Sequence, residues 1–170
     1  HMSTLSVDTI TGQTTAANVK MPNGHIVGWK TASAANSTTT SSSTYADITN
    51  ITLDYACKYS NSIVYVIVHV HVFIPQQATA WQSVGIKVLR GSTMLYQDVG
   101  YGVGHYTDSA NNRFMQNIAV QAATSPGNTS SQTYKVQGAK LQGSGNADFN
   151  NSSYGGGGRI TVMEIAQWVL

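Results

Sequence analysis

Residues 61–74, NSIVYVIVHVHVFI, alternate between two sets of side chains with a period of two. Successive side chains of a β-strand point to opposite faces, so the two sets lie on opposite faces of one strand. One face carries only aliphatic residues: Val64, Val66, Val68, Val70, Val72 and Ile74. At roughly 1.5 to 3 kcal/mol per buried side chain, this face contributes on the order of 10 kcal/mol before conformational entropy is subtracted. The pattern therefore predicts a central strand whose valine face lies in the core of a β-sandwich.

The opposite face of the same strand is unusual because it is also largely apolar. It carries Ile63, Tyr65, Ile67, His69, His71 and Phe73. An outer sheet face is normally polar, and an exposed apolar stripe favours association. The stretch RITVMEI (159–165) is also mixed on both faces, with Met163 and Ile165 opposite Ile160 and Val162. We expect a second copy of the chain to cover this face, so that these outer residues form a homo-oligomer interface. The alternative is that the N-terminal segment folds back as an intramolecular lid.

The remaining sequence indicates an all-β domain. Gly, Asn, Ser and Pro separate short alternating runs, and no segment keeps a helical period. We predict strands near 25–30, 45–55, 61–74, 83–90, 93–99, 113–123, 132–141 and 159–167. This number is typical of a jelly-roll-type antiparallel β-sandwich. A hairpin turn is predicted at 90–93 (RGST), and residues 32–44 (ASAANSTTTSSST) are predicted to form a surface loop.

The chain is predicted to consist of a connector, residues 1–24, and one head domain, residues 25–170. The connector holds too few apolar side chains to form a core, and His1-Met2 is typical of a cloning remnant. The total of 170 residues suits a single large domain. Only 9% of the residues are charged, against about 25% in an ordinary globular domain, and Ser, Thr, Asn and Gly take their place. This composition is typical of extracellular or virion surfaces.

The same composition disfavours several partners and activities. A net charge of +2, with nine dispersed Lys and Arg residues, offers no basic stripe for nucleic acid. No apolar run reaches the roughly 18 residues that cross a bilayer, so no membrane insertion is expected. The single cysteine, Cys57, cannot form an internal disulfide. The seven carboxylates form no close pair, and neither a GxSxG nor a P-loop motif is present. We therefore expect no enzyme and no cofactor, with Glu164 as a rim residue or an ion-pair partner.

Three segments are the most specific in the chain: MPNGHIV (21–27), LRGST (89–93) and TVMEI (161–165). Together with SSSTYADITNITL, IVYVIVHVHV and SQTYKVQG, they resemble the C-terminal fibre or structural-protein domains of marine phages, over nearly the whole chain. Such domains are similar to the tumour-necrosis-factor-like jelly roll, which is trimeric. The resemblance thus implies a homotrimer in the virion, in a tail fibre at its extracellular surface. It also implies that the N-terminal connector contacts other virion proteins.

Two non-catalytic function classes follow. The first is a receptor-binding head that attaches the virion to a host surface glycan or protein. The second is a trimeric structural or capsid decoration protein without receptor binding. Loops 99–113 and 142–158 favour the first class, because they combine aromatic, amide and hydroxyl side chains with glycines, although simple solvated loops are the alternative. The predicted receptor-binding residues are Trp81, Tyr101, His105, Tyr106, Asn111, Arg113, Phe149 and Tyr154.

The pair His69 and His71 is a candidate metal site. Two residues apart on a strand, they project from the same face, roughly 7 Å apart. At a threefold axis, three chains would bring together six imidazoles, which suit an octahedral metal ion. Phage fibres with a His-x-His pair of this kind add support by resemblance. The alternative is that both histidines are neutral packing residues of the trimer interface.

Overall fold

The computed structural model describes residues 23–34, 36–75, 80–107, 113–154 and 157–167, and their regular secondary structure is almost entirely β. The strands are β1 (Ile26–Ala34), β2 (Thr38–Thr40), β3 (Ala46–Ala56), β4 (Ile63–Ile74), β5 (Ala80–Arg90), β6 (Thr93–Gln97), β7 (Val103–Thr107), β8 (Phe114–Thr124), β9 (Ser131–Gln142), β10 (Ala147–Phe149) and β11 (Gly158–Ile165). A short 3-10 turn, Ser152–Tyr154, follows β10. Within these ranges no helix has the length and apolar character needed to cross a membrane.

The strands form two antiparallel sheets. In the first sheet, β4 pairs with β8 along one edge. Along its other edge, β4 pairs first with β11 and then with β10. β1 pairs with the far side of β11, and β2 pairs with the far side of β10. In the second sheet, β9 lies between β3 and β5, and β6 and β7 share the far edge of β5. Because β1/β2, β6/β7 and β10/β11 each fill one strand position, the described strands occupy four positions in each sheet. This two-sheet arrangement confirms the predicted jelly roll.

The core lies between the sheets and is centred on β4. The predicted valine face is confirmed, since every residue on it from Val64 to Ile74 is fully buried. It packs in one cluster with Val84, Ile86 and Val136 of the second sheet. The predicted hairpin is also confirmed. Arg90 pairs with Thr93, and Gly91 takes the positive φ of 56° that the first position of a two-residue loop favours.

Three segments that the sequence indicated as loops contain strands, so those predictions were wrong. β1 extends to Ala34, and β2 interrupts the stretch 32–44. The loops predicted at 99–113 and 142–158 contain β7 and β10. β2 and β10 have three residues each, too few for a period of two to be recognised. Their pairing is decided by neighbouring strands that are distant in sequence.

Glu164, on β11, is fully buried, so its prediction as a rim residue or ion-pair partner was wrong. Its carboxylate accepts hydrogen bonds from the Ser62 hydroxyl at 2.6 Å and the Tyr55 hydroxyl at 2.8 Å. It also accepts bonds from the backbone N–H groups of Lys58 at 2.9 Å and Tyr59 at 3.1 Å. A buried carboxylate is tolerated when donors surround it in this way. Glu164 therefore fixes the β3–β4 turn against the first sheet.

Candidate functional site

Three aromatic side chains form a cluster on the outer face of the second sheet. Trp81 on β5 and Tyr106 on β7 are cross-strand partners, with ring centroids 5.7 Å apart in an edge-to-face arrangement. Tyr101, in the turn before β7, lies 5.5 Å from Trp81. Trp81, Tyr101 and Tyr106 are 48%, 61% and 63% exposed. We call this trio the aromatic cluster.

Glycines bring the strands of the aromatic cluster together. Gly100 and Gly102 have φ values of 66° and 53°, which glycine adopts without strain. The Gly102 N–H closes the turn by donating to the Val99 carbonyl at 3.3 Å. A side chain at Gly102 or Gly104 would collide with the backbone of β5. These positions let β7 approach β5 closely, and so place Tyr106 beside Trp81.

The chemistry of the aromatic cluster suits a partly apolar ligand with a flat face. Aromatic rings in mutual edge contact are rigid, because each restricts the rotamers of the other, and their exposed faces remain available. Rings of this kind lose little conformational entropy when they bind a ligand. The apolar C–H faces of sugar rings are one class of surface that such a platform can contact.

A buried lysine lies on the inner face of the second sheet, opposite the face that carries the aromatic cluster. Lys140 on β9 is 2% exposed, and its ammonium group donates to the Gln82 side-chain oxygen at 2.6 Å and to the Gln142 carbonyl at 2.5 Å. Burial lowers the pKa of Lys140 to about 8. The prediction missed this residue, although the period of two along KVQGAK places it on the inward face with Val136. The hydrogen bond from Lys140 to Gln82 joins β9 to β5 next to Trp81.

The other predicted receptor-binding residues do not join the aromatic cluster. Phe149 is fully buried in the core, which contradicts its predicted role as a receptor contact. His105 precedes Tyr106 on β7, so its side chain points to the opposite face of the strand. There it stacks on Phe114 at 4.8 Å, and burial and then Lys140 lower its pKa. Arg113 is exposed at the start of β8. Asn111 lies outside the described residues.

Tyr154 covers part of the outer face of the first sheet. Its ring stacks on Phe73 at 4.1 Å, and Phe73 is 4% exposed. His71 is 6% exposed beside it, and its carbonyl accepts a 2.8 Å bond from the Asn150 N–H. The prediction that His71 and Phe73 form an intermolecular interface was therefore wrong, because their own chain already covers them. The covering segment is the turn after β10, and the predicted N-terminal lid (1–24) lies almost wholly outside the described residues.

The opposite half of that face remains open and apolar. Trp29, Met163 and Tyr65 form a cross-strand row over β1, β11 and β4. Trp29 is 66% exposed and Tyr65 39% exposed. The neighbouring residues Ile63, Ile67 and Ile165 are half-buried, and Ile26 is exposed. We call these four isoleucines, together with Trp29, Met163 and Tyr65, the apolar half-face.

The described residues hold no group of three or more side chains that could bind a metal ion. His69 is exposed, whereas His71 is buried and its pKa is lowered by burial and then by His69. Arg159 is the cross-strand partner of His69. A guanidinium beside His69 disfavours a cation there. The metal site at these two histidines stays a prediction that depends on further chains.

The described carboxylates are all engaged in structural hydrogen bonds. Asp98, for example, accepts a bond from the Ile86 N–H at 2.9 Å, and Asp148 accepts one from Asn151 at 3.0 Å. Asp47 binds Lys135 and Gln137, and those partners lower its pKa although burial opposes them.

The fold defines this chain as an all-β jelly-roll domain. No protein-family model and no curated protein matches it. Among solved structures, it is similar to a mutant VP2 protein of infectious bursal disease virus in derived T=1 particles, with a TM-score of 0.41 and 10% identity. That alignment covers 82% of this chain but only 36% of VP2. Similarity at this level carries no information about function, and the jelly-roll assignment rests on the strand order alone.

Proposed function

We propose that this chain is a non-enzymatic, receptor-binding head domain of a phage tail fibre, which attaches a virion to a host surface saccharide. The observation that carries the proposal is the exposed aromatic cluster of Trp81, Tyr101 and Tyr106. Stacking against these rings would supply the binding free energy. The low charge of the chain suits a virion surface, and the sequence resemblance to phage fibre domains agrees with it.

The proposal includes assembly as a homotrimer through the apolar half-face. The row of Trp29, Met163 and Tyr65 exposes two aromatic side chains, and burial against further copies would remove them from water. This interface leaves the aromatic cluster free, because the cluster lies on the other sheet. Each trimer would then present three equivalent sites, and their combined avidity would strengthen attachment to a dense surface glycan.

Binding of the fluorescently labelled protein to bacterial cells and to their purified surface polysaccharides tests this function. The double variant Trp81→Ala/Tyr106→Ala should lose about tenfold or more in affinity, because it removes two of the three stacking faces. The matched control is Met94→Ala, which removes an exposed apolar side chain of the same sheet outside the aromatic cluster and should bind as wild type. Unchanged binding of the double variant, or wild-type protein that binds no bacterial surface, would contradict the proposal.

The second candidate is a structural or capsid decoration protein. The apolar half-face favours it, since a domain that only assembles needs an interface but no ligand site. In that case the Trp29→Ala variant would be impaired in incorporation into particles, whereas the Trp81→Ala/Tyr106→Ala variant would behave as wild type. A particle-incorporation assay with both variants separates the two functions.

A further inference from the structure

A cavity of about 520 Å³ opens on the first sheet, beside the covered end of β4. Its lining is Ser33, Ala34, His69, Gly157, Gly158 and Arg159. The concave shape follows from the small residues at its rim, since Ala34, Gly157 and Gly158 carry almost no side chain. The volume lies in the range of roughly 300 to 1,000 Å³ that is typical of small-molecule sites. The size thus suits a ligand larger than a simple ion.

The charge in this cavity is unbalanced. The Arg159 Nε group donates to the Ser33 hydroxyl at 3.3 Å, and no described carboxylate forms an ion pair with Arg159. Within the described part of the chain, the one ion pair joins Lys135 to Asp47 on the other sheet. His69 lies directly across from Arg159 on β4 and is exposed. The cavity therefore presents a guanidinium, an imidazole and a hydroxyl, with no acidic group among its lining residues.

We propose that this cavity binds a carboxylate-bearing saccharide, such as a uronic acid unit of an acidic polysaccharide. The planar guanidinium of Arg159 would hold the carboxylate, because its paired N–H donors match the two carboxylate oxygens. His69 and Ser33 would bond the hydroxyl groups of the sugar ring. The open space at Gly157 would take the rest of the ring, since a Cβ built there meets only the Ala34 carbonyl oxygen, at 3.8 Å.

This site goes beyond the proposed receptor-binding surface and does not depend on it. The cavity lies on the outer face of the first sheet, whereas Trp81 and Tyr106 lie on the second. Along β4 it begins next to Ile67 of the apolar half-face and extends toward the end that Tyr154 covers.

Calorimetric titration of the wild-type protein with sodium glucuronate tests the proposal, with methyl glucoside as the neutral sugar and sodium acetate as the bare anion. We expect glucuronate to bind about tenfold or more tightly than either control compound. Arg159→Gln should remove this preference, and Gly157→Leu should weaken binding by filling the cavity while keeping the charge. Arg113→Gln, which removes an exposed arginine elsewhere, is the matched control and should bind as wild type.

Each other outcome overturns the proposal. Acetate binding as tightly as glucuronate would make the cavity a simple anion site, and methyl glucoside binding equally would remove the role of Arg159. Glucuronate binding that survives both Arg159→Gln and Gly157→Leu would place the ligand elsewhere, as would its absence in the wild type. The Trp81→Ala/Tyr106→Ala variant should bind glucuronate normally, so the failure of one site is distinguishable from the failure of the other.

Discussion

The outer faces of the two sheets differ in what they leave exposed. On the first sheet, Trp29, Met163 and Tyr65 form a continuous apolar row across three strands. On the second sheet, Tyr45 and Asp98 cover the surface at Gly85, where the Tyr45 hydroxyl donates to the Asp98 carbonyl at 2.5 Å. The exposed aromatic residues of that sheet are confined to one end.

This difference separates two tasks within one small domain. A broad, flat apolar row suits contact with another protein surface, where burial of area drives association. A compact trio of aromatic rings suits a small flat ligand that stacks on one or two of them. The first sheet is thus the candidate for assembly, and the second sheet is the candidate for attachment.

The largest expected effect is on assembly. Tyr65→Asp places a charge in the centre of the apolar half-face, and each buried carboxylate would lose its hydration without a partner. We expect the dissociation constant of the proposed trimer to rise about a hundredfold or more, so that light scattering finds a species of the monomer mass, 18.1 kDa. Tyr65 is 39% exposed in the single chain, so the variant should still fold.

Trp81→Asp is the matched control, because it introduces the same charge at an exposed aromatic residue of the second sheet. It should leave the assembly intact. A wild-type protein of monomer mass at micromolar concentration would exclude the assembly role of the first sheet. If Trp81→Asp dissociated the assembly and Tyr65→Asp did not, the second sheet and not the first would form the assembly interface.

The next effect concerns the stability of the single chain. Glu164→Gln keeps the shape of the side chain but turns an amide N–H₂ group toward the donors of Ser62, Tyr55, Lys58 and Tyr59. We expect a loss of about 3 kcal/mol in unfolding free energy, measured by urea denaturation. Lys58→Ala is the control, since Glu164 binds only the backbone N–H of Lys58. Equal stability of wild type and Glu164→Gln would show that this network contributes little.

The smallest effect is a pH dependence of stability at the covered end of the first sheet. Burial lowers the pKa of His71, so the folded state favours the neutral imidazole. This contribution is complete above the ordinary histidine value of 6.5 and is lost as the pH falls below it. Urea denaturation of His71→Gln should show a shallower decline below pH 6.5 than the wild type. His25→Gln, at an exposed position just before β1, should follow the wild type, and an unchanged slope in His71→Gln would contradict the assignment.

Local pattern was sufficient for the framework of the fold. The period of two across residues 61–74 placed the valine face inward, and every residue on it is buried. The turn at 90–93 was recognisable because a two-residue loop with glycine in its first position has few alternatives. Both features depend on neighbours in sequence.

Only some of the predicted site residues lie together, because their grouping depends on neighbours that are distant in sequence. Trp81, Tyr101 and Tyr106 were singled out as aromatic residues near loops, and the pairing of β5 with β7 brings them together. Phe149 shares that aromatic character but is buried, because β10 pairs with β4 and turns its side chain into the core. Residue type alone could not separate these two outcomes.

The sequence by itself determined an all-β sandwich with β4 at its centre, because a side-chain period of two is a property of each strand alone. The tertiary structure decided which chemical groups meet. Tyr154 covers Phe73, hydrogen-bond donors surround Glu164, and Arg159 faces His69 only in the register of strands that are far apart in sequence. Register is set by packing of the whole domain, since a shift by one residue would exchange the buried and exposed faces of a strand.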